Sequence, residues 1–228
     1  MNLYLSLLNW LHRPFVRRVG DDPYHALFPE FTRSVAAMPS PTVLELGARN
    51  VSGLLRRGHF PNAGKYIGID IHPGEGVDIV GDAHRLSELV APDSVEALFS
   101  FSVFEHLLFP WKVALEINRV LKVGGIVFVS THPVWPTHEL PWDFWRFPVG
   151  GLSGLFSKPL GFELIAATEG LPAKIYSLVG DPPTRALYRH SANLGVALIA
   201  RKIADYDRER LRWDIDIGEA ITTQYPKP

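Results

Sequence analysis

Carboxylates stand in this sequence where short apolar runs stop, and that placement is the first pointer to chemistry. Val43-Leu44-Glu45-Leu46 stops at Gly47, Tyr66-Ile67-Gly68-Ile69 stops at Asp70, and a third run stops at Gly81-Asp82. A carboxylate about 20 residues past a glycine turn is where a Rossmann-like fold receives ribose hydroxyls. Asp is also common in turns, but the order of turn, Asp70 and Asp82 favours ligand binding over simple capping. Glu45, near the end of a buried strand, is costly to bury unpaired, so it serves either a ligand's amino group or a structural hydrogen bond. Three histidines follow, His106, His132 and His138, of a type suited to proton transfer near neutral pH. A purely hydrogen-bonding role fits each of them as well, and His138 is the preferred base. Trp135, Trp142, Trp145 and Phe147 offer flat faces for a sugar or aromatic acceptor, with Arg146 reaching an anionic group. The alternative is a self-packed aromatic loop in which Arg146 bridges to Asp143.

These residues need a scaffold that brings strand ends together. Thr42 to Leu46 predicts a buried parallel strand entering a tight turn, with a helix after it. Lys65 to Ile71, Val77 to Val80, Val95 to Phe101, Ile126 to Ser130, Phe162 to Ala167 and Gly195 to Lys202 predict six more strands. Helical segments are expected at Ser87 to Val90, at Pro110 to Leu121, where Val113, Ile117, Val120 and Leu121 share one face, and at Gly150 to Phe156. The loops Ser102 to Leu108 and Thr131 to Phe147 then lie at strand ends, where function concentrates. Gly180-Asp181-Pro182-Pro183 marks an irregular excursion. Before the strands, residues 3 to 11 predict a short amphipathic helix ended near Pro14, packed on the domain, at a dimer contact or against a membrane surface. Asp21 to Pro41, with four prolines, reads as a linker carrying one short helix around Phe31 to Ala37. The expected organisation is an N-terminal extension and linker over 1–41, a catalytic domain over 42–203, and a peripheral tail over 204–228.

Composition narrows the classes. The chain has 228 residues, 46% of them apolar, enough for one domain with a full core. Its formal charge of −1 supplies no global field for nucleic acid, and no nucleic-acid partner is expected. It contains no cysteine, which removes disulfides and thiolate chemistry. No apolar run reaches the roughly 18 residues of a membrane span. A cytoplasmic protein is expected, with peripheral membrane contact confined to the N-terminal helix. The oligomeric state is not readable.

A dinucleotide site needs G-x-G-x-x-G so that backbone can approach a pyrophosphate. This chain has Gly47-Ala48-Arg49-Asn50-Val51-Ser52, with side chains at Arg49 and Val51 that crowd such a ligand. S-adenosylmethionine is less demanding: its amino-acid end suits the turn, its ribose Asp70, and its adenine the neighbourhood of Asp82. The order Val43 to Gly47, Gly68 to Asp70, Gly81 to Ala83, Ser102 to His106 and Arg119 to Gly125 resembles the motif order of class I S-adenosylmethionine-dependent methyltransferases. The His138 to Phe147 run further resembles a type 11-like subgroup often found with polysaccharide or secondary-metabolite pathways.

The resemblance implies an α/β fold with a Rossmann-like, seven-stranded, mostly parallel sheet, helices on both faces, and the last strand antiparallel. It implies cofactor contacts from Glu45, Gly47, Ala48, Asp70, Ile71, Asp82, Ala83 and Ser102. Acceptor contacts are expected from Trp142, Asp143, Trp145 and Arg146, and the proton-accepting group from His138, His106 or His132. The expected reaction is O-methylation of a small-molecule or glycan-like acceptor. Glu105 and His106 also resemble part of a metal-binding pattern of ubiquinone-type O-methyltransferases, but Ser102 replaces an acidic residue and the remaining ligand types are scattered, so no metal is expected. Two other readings stay open, a non-catalytic scaffold with this fold and a nucleotide-dependent sugar-modifying enzyme.

Overall fold

The computed structural model describes residues 3–13, 19–209 and 211. In chain order its elements are α1 (Leu3–His12), α2 (Pro23–Ala36), β1 (Thr42–Leu46), β2 (Lys65–Asp70), β3 (Ile79–Val80), α3 (Leu86–Leu89), β4 (Val95–Phe101), α4 (Pro110–Val120), β5 (Leu121–Thr131), α5 (Val149–Gly154), β6 (Phe162–Lys174) and β7 (Ser191–Lys202). The strands form one sheet in the order β3-β2-β1-β4-β5-β7-β6. β7 runs antiparallel to both neighbours, and the other pairs are parallel. Register sets the site: Leu46 pairs with Ile69 and with Ser100, and Phe101 with Ser130. Gly47, Asp70, Ser102 and His132 therefore leave the sheet along one edge.

Apolar alternation in the strands gives the sheet two buried faces. Leu44, Leu46, Leu98, Val127 and Val129 meet α3, α4 and α5, with Val113, Ala114, Ile117 and Val120 forming the buried stripe of α4. Val43, Phe99, Phe128 and Ile199 face the other way and are covered by Leu27, Phe31 and Val35 of α2, together with Phe60.

Three expectations are corrected here. The anticipated linker is a 14-residue helix packed on the core. Its prolines conceal it: Pro23 sits in the first turn, where its missing N–H costs nothing, and Asp22 caps Tyr24 N at 3.1 Å. Pro29 lies inside the helix at a cost of roughly 3 kcal/mol, offset by the complete burial of Phe31 and Val35. Secondly, no α-helix follows β1. Residues 47–64 contain a single 3₁₀ turn, Arg57–His59, because Gly53 and Gly58 interrupt the segment and Val51, Leu54 and Leu55 stay exposed without forming a core stripe. Thirdly, the tail does not leave the domain at residue 204. The fully buried Lys202 ammonium donates to Asp93 Oδ1 (2.7 Å) and Leu121 O (2.8 Å) and pairs with Asp205 (2.7 Å). Tyr206 is buried, with its N–H on Asn118 Oδ1.

Smaller differences have local causes. β3 is shorter than read, and β6 runs to Lys174, past Pro172, which an edge strand tolerates. α1 forms as expected and exposes Leu3, Leu7, Trp10 and Leu11, while its anticipated stop at Pro14 lies outside the described residues. Among the described residues no helix is long and apolar enough to cross a membrane.

Candidate active site

A cavity of about 520 Å³ opens at the carboxyl edge of the sheet, within the size range of small-molecule sites. Gly47, Arg49, Asp70, Ile71, Asp82, Ala83 and Ser102 line one side, and His106, His132, His138, Glu139 and Trp142 line the other. Gly47 has φ +83, and a Cβ there would come within 2.3 Å of Val103 Cγ2, so this turn position excludes side chains twice over. Asp70 receives Arg49 N on one carboxylate oxygen (3.2 Å) and His72 N on the other (3.0 Å), which aims the group without exhausting its lone pairs. The Arg49 side chain folds back to stand 3.6 Å from Asp70. Burial alone would raise the Asp82 carboxyl, but hydrogen bonds from His84 N (2.9 Å) and Nδ1 (2.6 Å) outweigh it and hold the group below the usual carboxylate range. His84 Nε2 accepts from Phe109 N, which leaves Nδ1 as the donor to Asp82.

The histidine side is built around Glu105, fully buried in the 3₁₀ turn Phe104–His106. Thr131 Oγ1 donates to Glu105 Oε2 at 2.6 Å, while Oε1 has no hydrogen-bond partner among the described residues. His132 Nε2 lies 3.4 Å from that oxygen, and His106 Nε2 lies 4.0 Å from it. Each histidine places Nδ1 on a carbonyl: His106 on Trp142 (2.5 Å), His132 on Leu194 (3.0 Å) and His138 on Pro136 (3.1 Å). A carbonyl only accepts, so Nδ1 is the N–H in all three rings and Nε2 carries the lone pair of the neutral form. Ser102 and Glu139, both on this cavity, have positive φ values of 50° and 49°. Backbone strain of this kind is concentrated at functional sites.

Residues 44–129 match the family described as Methyltransferase domain. An uncharacterised methyltransferase of Mycobacterium tuberculosis is 30% identical over 178 residues, covering 71% of this chain and 57% of that relative. A SAM-dependent methyltransferase structure from Archaeoglobus fulgidus superposes with a TM-score of 0.52 at 16% identity, covering 87% of this chain and all of that one (100%). The chain carries a class I methyltransferase domain. The same fold also matches the [4+2]-cyclase SpnF, with a TM-score of 0.52 at 17% identity over 84% of this chain and 86% of that one. The alignment to the curated mycobacterial relative thus spans little more than half of that protein's length.

Within the methyltransferase domain, six of the eight anticipated cofactor residues reach the cavity, and Glu45 and Ala48 do not. Strand parity turns Glu45 away from Leu44 and Leu46 to the face of α2, where Tyr66 OH and Arg56 bond its carboxylate. Burial raises the Glu45 carboxyl despite those partners, and burial followed by the Glu45 bond raises the Tyr66 phenol. Ala48 points at Gly68, whose added Cβ would meet it at 2.9 Å.

All three histidines reach the cavity. Of the four anticipated acceptor residues only Trp142 does. Arg146 spends all five N–H donors inside its loop: two on Asp143 (2.5 and 2.8 Å) and one each on Trp145 O, Trp135 O and Pro136 O. It has none left for an anionic acceptor, and the Asp143 carboxyl is driven down to about 2 chiefly by that guanidinium. Trp145 packs against the core, with Nε1 on Leu108 O.

Sequence reasoning missed Tyr24, Arg56 and Glu139 as lining residues. Tyr24 comes from α2 and bonds Ser130 Oγ at 2.6 Å, a contact across 106 residues that no local pattern reveals. Arg56 lies over the Phe101 ring at 4.4 Å.

Proposed function

We propose that the protein is an S-adenosylmethionine-dependent methyltransferase acting on an oxygen of a small-molecule or glycan-like acceptor. The observation that carries this is the continuity of one cavity from Gly47, Asp70 and Asp82 to the Nε2 atoms of His106 and His132. The residues fit the cofactor. Arg49 Nε, 3.6 Å from Asp70 Oδ1, is buried without a hydrogen-bond partner among the described residues at the turn where the carboxylate of the amino-acid end would lie, and Asp70 keeps acceptor capacity for ribose hydroxyls. Bound S-adenosylmethionine supplies an activated methyl group together with its leaving group.

The chain's own part is alignment and proton removal. His132 replaces His138 as the preferred base, because its Nδ1–H on Leu194 O holds Nε2 toward Ser102 Oγ (3.2 Å) and the cavity, and its ring stacks on Trp135 at 4.5 Å. A hydroxyl hydrogen-bonded to Nε2 is positioned to lose its proton as the methyl group arrives. Trp142, whose carbonyl orients His106, closes the same wall.

Calorimetry with S-adenosylhomocysteine, S-adenosylmethionine and NAD tests the reading. Both sulfur compounds are expected to bind and NAD is not. Binding of NAD alone would favour a nucleotide-dependent sugar-modifying enzyme, and binding of none a scaffold. Transfer of a labelled methyl group to hydroxylated acceptors then tests the reaction itself.

A further inference from the structure

Glu105, His106 and His138 each offer a ligand atom, and these atoms lie within 4.8 Å of one another. They come from two separate segments, so their scatter in the sequence conceals the cluster. Asp143, another ligand type nearby, is taken up by Arg146. The Nε2 atoms of His106 and His132 face Glu105 Oε1, a buried carboxylate oxygen with no hydrogen-bond donor among the described residues, and neither presents an N–H in its neutral form. Lone pairs directed at a buried anion repel one another unless a cation stands among them.

We propose that Glu105, His106 and His138 bind one divalent transition-metal ion of the zinc class on the acceptor side of the cavity. Two imidazoles and a carboxylate select first-row ions such as Zn²⁺ or Co²⁺ over Mg²⁺ or Ca²⁺. The surrounding contacts are those that hold metal ligands in orientation: Nδ1 of each histidine is on a carbonyl, and Glu105 Oε2 is held by Thr131. Three donors no more than 4.8 Å apart lie within about 2.8 Å of a common centre, so reaching bonds of about 2.1 Å needs less than about 1 Å of movement each. Glu139 Oε2, 3.8 Å from His106 Nε2, is a fourth ligand, and the second carboxylate, within reach. The role assigned to the ion rests on the methyltransferase reading: it polarises the acceptor hydroxyl, whose proton passes to His132.

The test uses the full chain after dialysis against a chelator, titrated with Zn²⁺ by calorimetry and with Co²⁺ by visible absorption. S-adenosylhomocysteine binding is measured in parallel. One ion per chain is expected, with affinity falling at least about tenfold in His138→Ala and in Glu105→Gln, and cofactor affinity holding in both. Should buried Glu105→Gln fail to fold, His138→Ala, on a half-buried loop position, decides alone. Substoichiometric uptake by folded wild-type protein overturns the proposal, because protons then hold the cluster together. Unchanged affinity in the folded variants also overturns it, since the ion then sits elsewhere. Zinc binding lost in the variants, with no binding of S-adenosylhomocysteine by any form, sustains the metal site and removes the methyltransferase reading.

Discussion

Replacing Arg146 with alanine strips a buried carboxylate of its partner. The Asp143 side chain is 2% exposed, and its pKa is lowered from 3.8 to about 2, chiefly by the Arg146 guanidinium. A depression of that size corresponds to about 2 kcal/mol of stability. Carbonyls at Trp135, Pro136 and Trp145 also lose a donor, so the total loss near pH 7 is expected at about 3 kcal/mol. The pH dependence follows from the sign. A carboxyl whose folded pKa is depressed contributes fully above its unfolded value and loses that contribution as pH falls through the folded value. The gap between wild type and variant should therefore be constant above about pH 5 and reduced by roughly 1 kcal/mol at pH 3. Urea unfolding of both proteins between pH 3 and pH 7 measures it. A variant as stable as wild type at pH 7, or a gap that does not narrow in acid, would refute the structural role. A selective rise in the KM of anionic acceptors at unchanged stability would restore Arg146 as an anchor.

Asp70→Ala should weaken S-adenosylhomocysteine binding by about 1.5–3 kcal/mol in calorimetry, and undiminished affinity in a folded variant would remove Asp70 from the ribose site. His132→Ala should lower turnover by about 10²- to 10⁴-fold, with the deficit shrinking at high pH as the acceptor ionises itself, and a pH-independent deficit would argue against a base. Asp22→Ala removes acceptors from Tyr24 N and from Leu171 N (2.9 Å), so urea unfolding should show a loss of about 2–3 kcal/mol. A loss below about 0.5 kcal/mol would mean that α2 is held by its apolar face alone.

The central strands are legible because a buried parallel strand is a continuous apolar run closed by a turn residue, as at Thr42 to Gly47 and Val95 to Phe101. β6 is not, since beyond Ala167 it is an edge with mixed exposure and a proline. α2 is obscured by prolines whose cost only tertiary burial reveals. At the site, the strand-end residues Gly47, Asp70, Asp82 and Ser102 follow from the motif order, and the three histidines from their place in strand-end loops. Glu45 is misplaced by one position of strand parity, which the alternation with Leu44 and Leu46 contained. The Asp143–Arg146 bridge was present as an alternative, and geometry decides for it. Glu105 gathers its histidines only through the packing of the loop onto its turn, where Phe144 N and Trp145 N bond the Glu105 carbonyl.

Tyr24 lines the cavity from a helix that precedes the first strand, and His132, His138, Glu139 and Trp142 line it from beyond the fifth. The segment shared with the methyltransferase domain family, 44–129, holds the turn, Asp70, Asp82, Ser102 and His106, but none of those five. The wall opposite the turn is thus encoded mostly outside that segment, with His106 the exception. Under the proposed function, a graft of residues 132–147 with a matching α2, made while Glu105 and His106 are kept, is expected to move acceptor preference from one such protein to another and to leave S-adenosylhomocysteine binding intact.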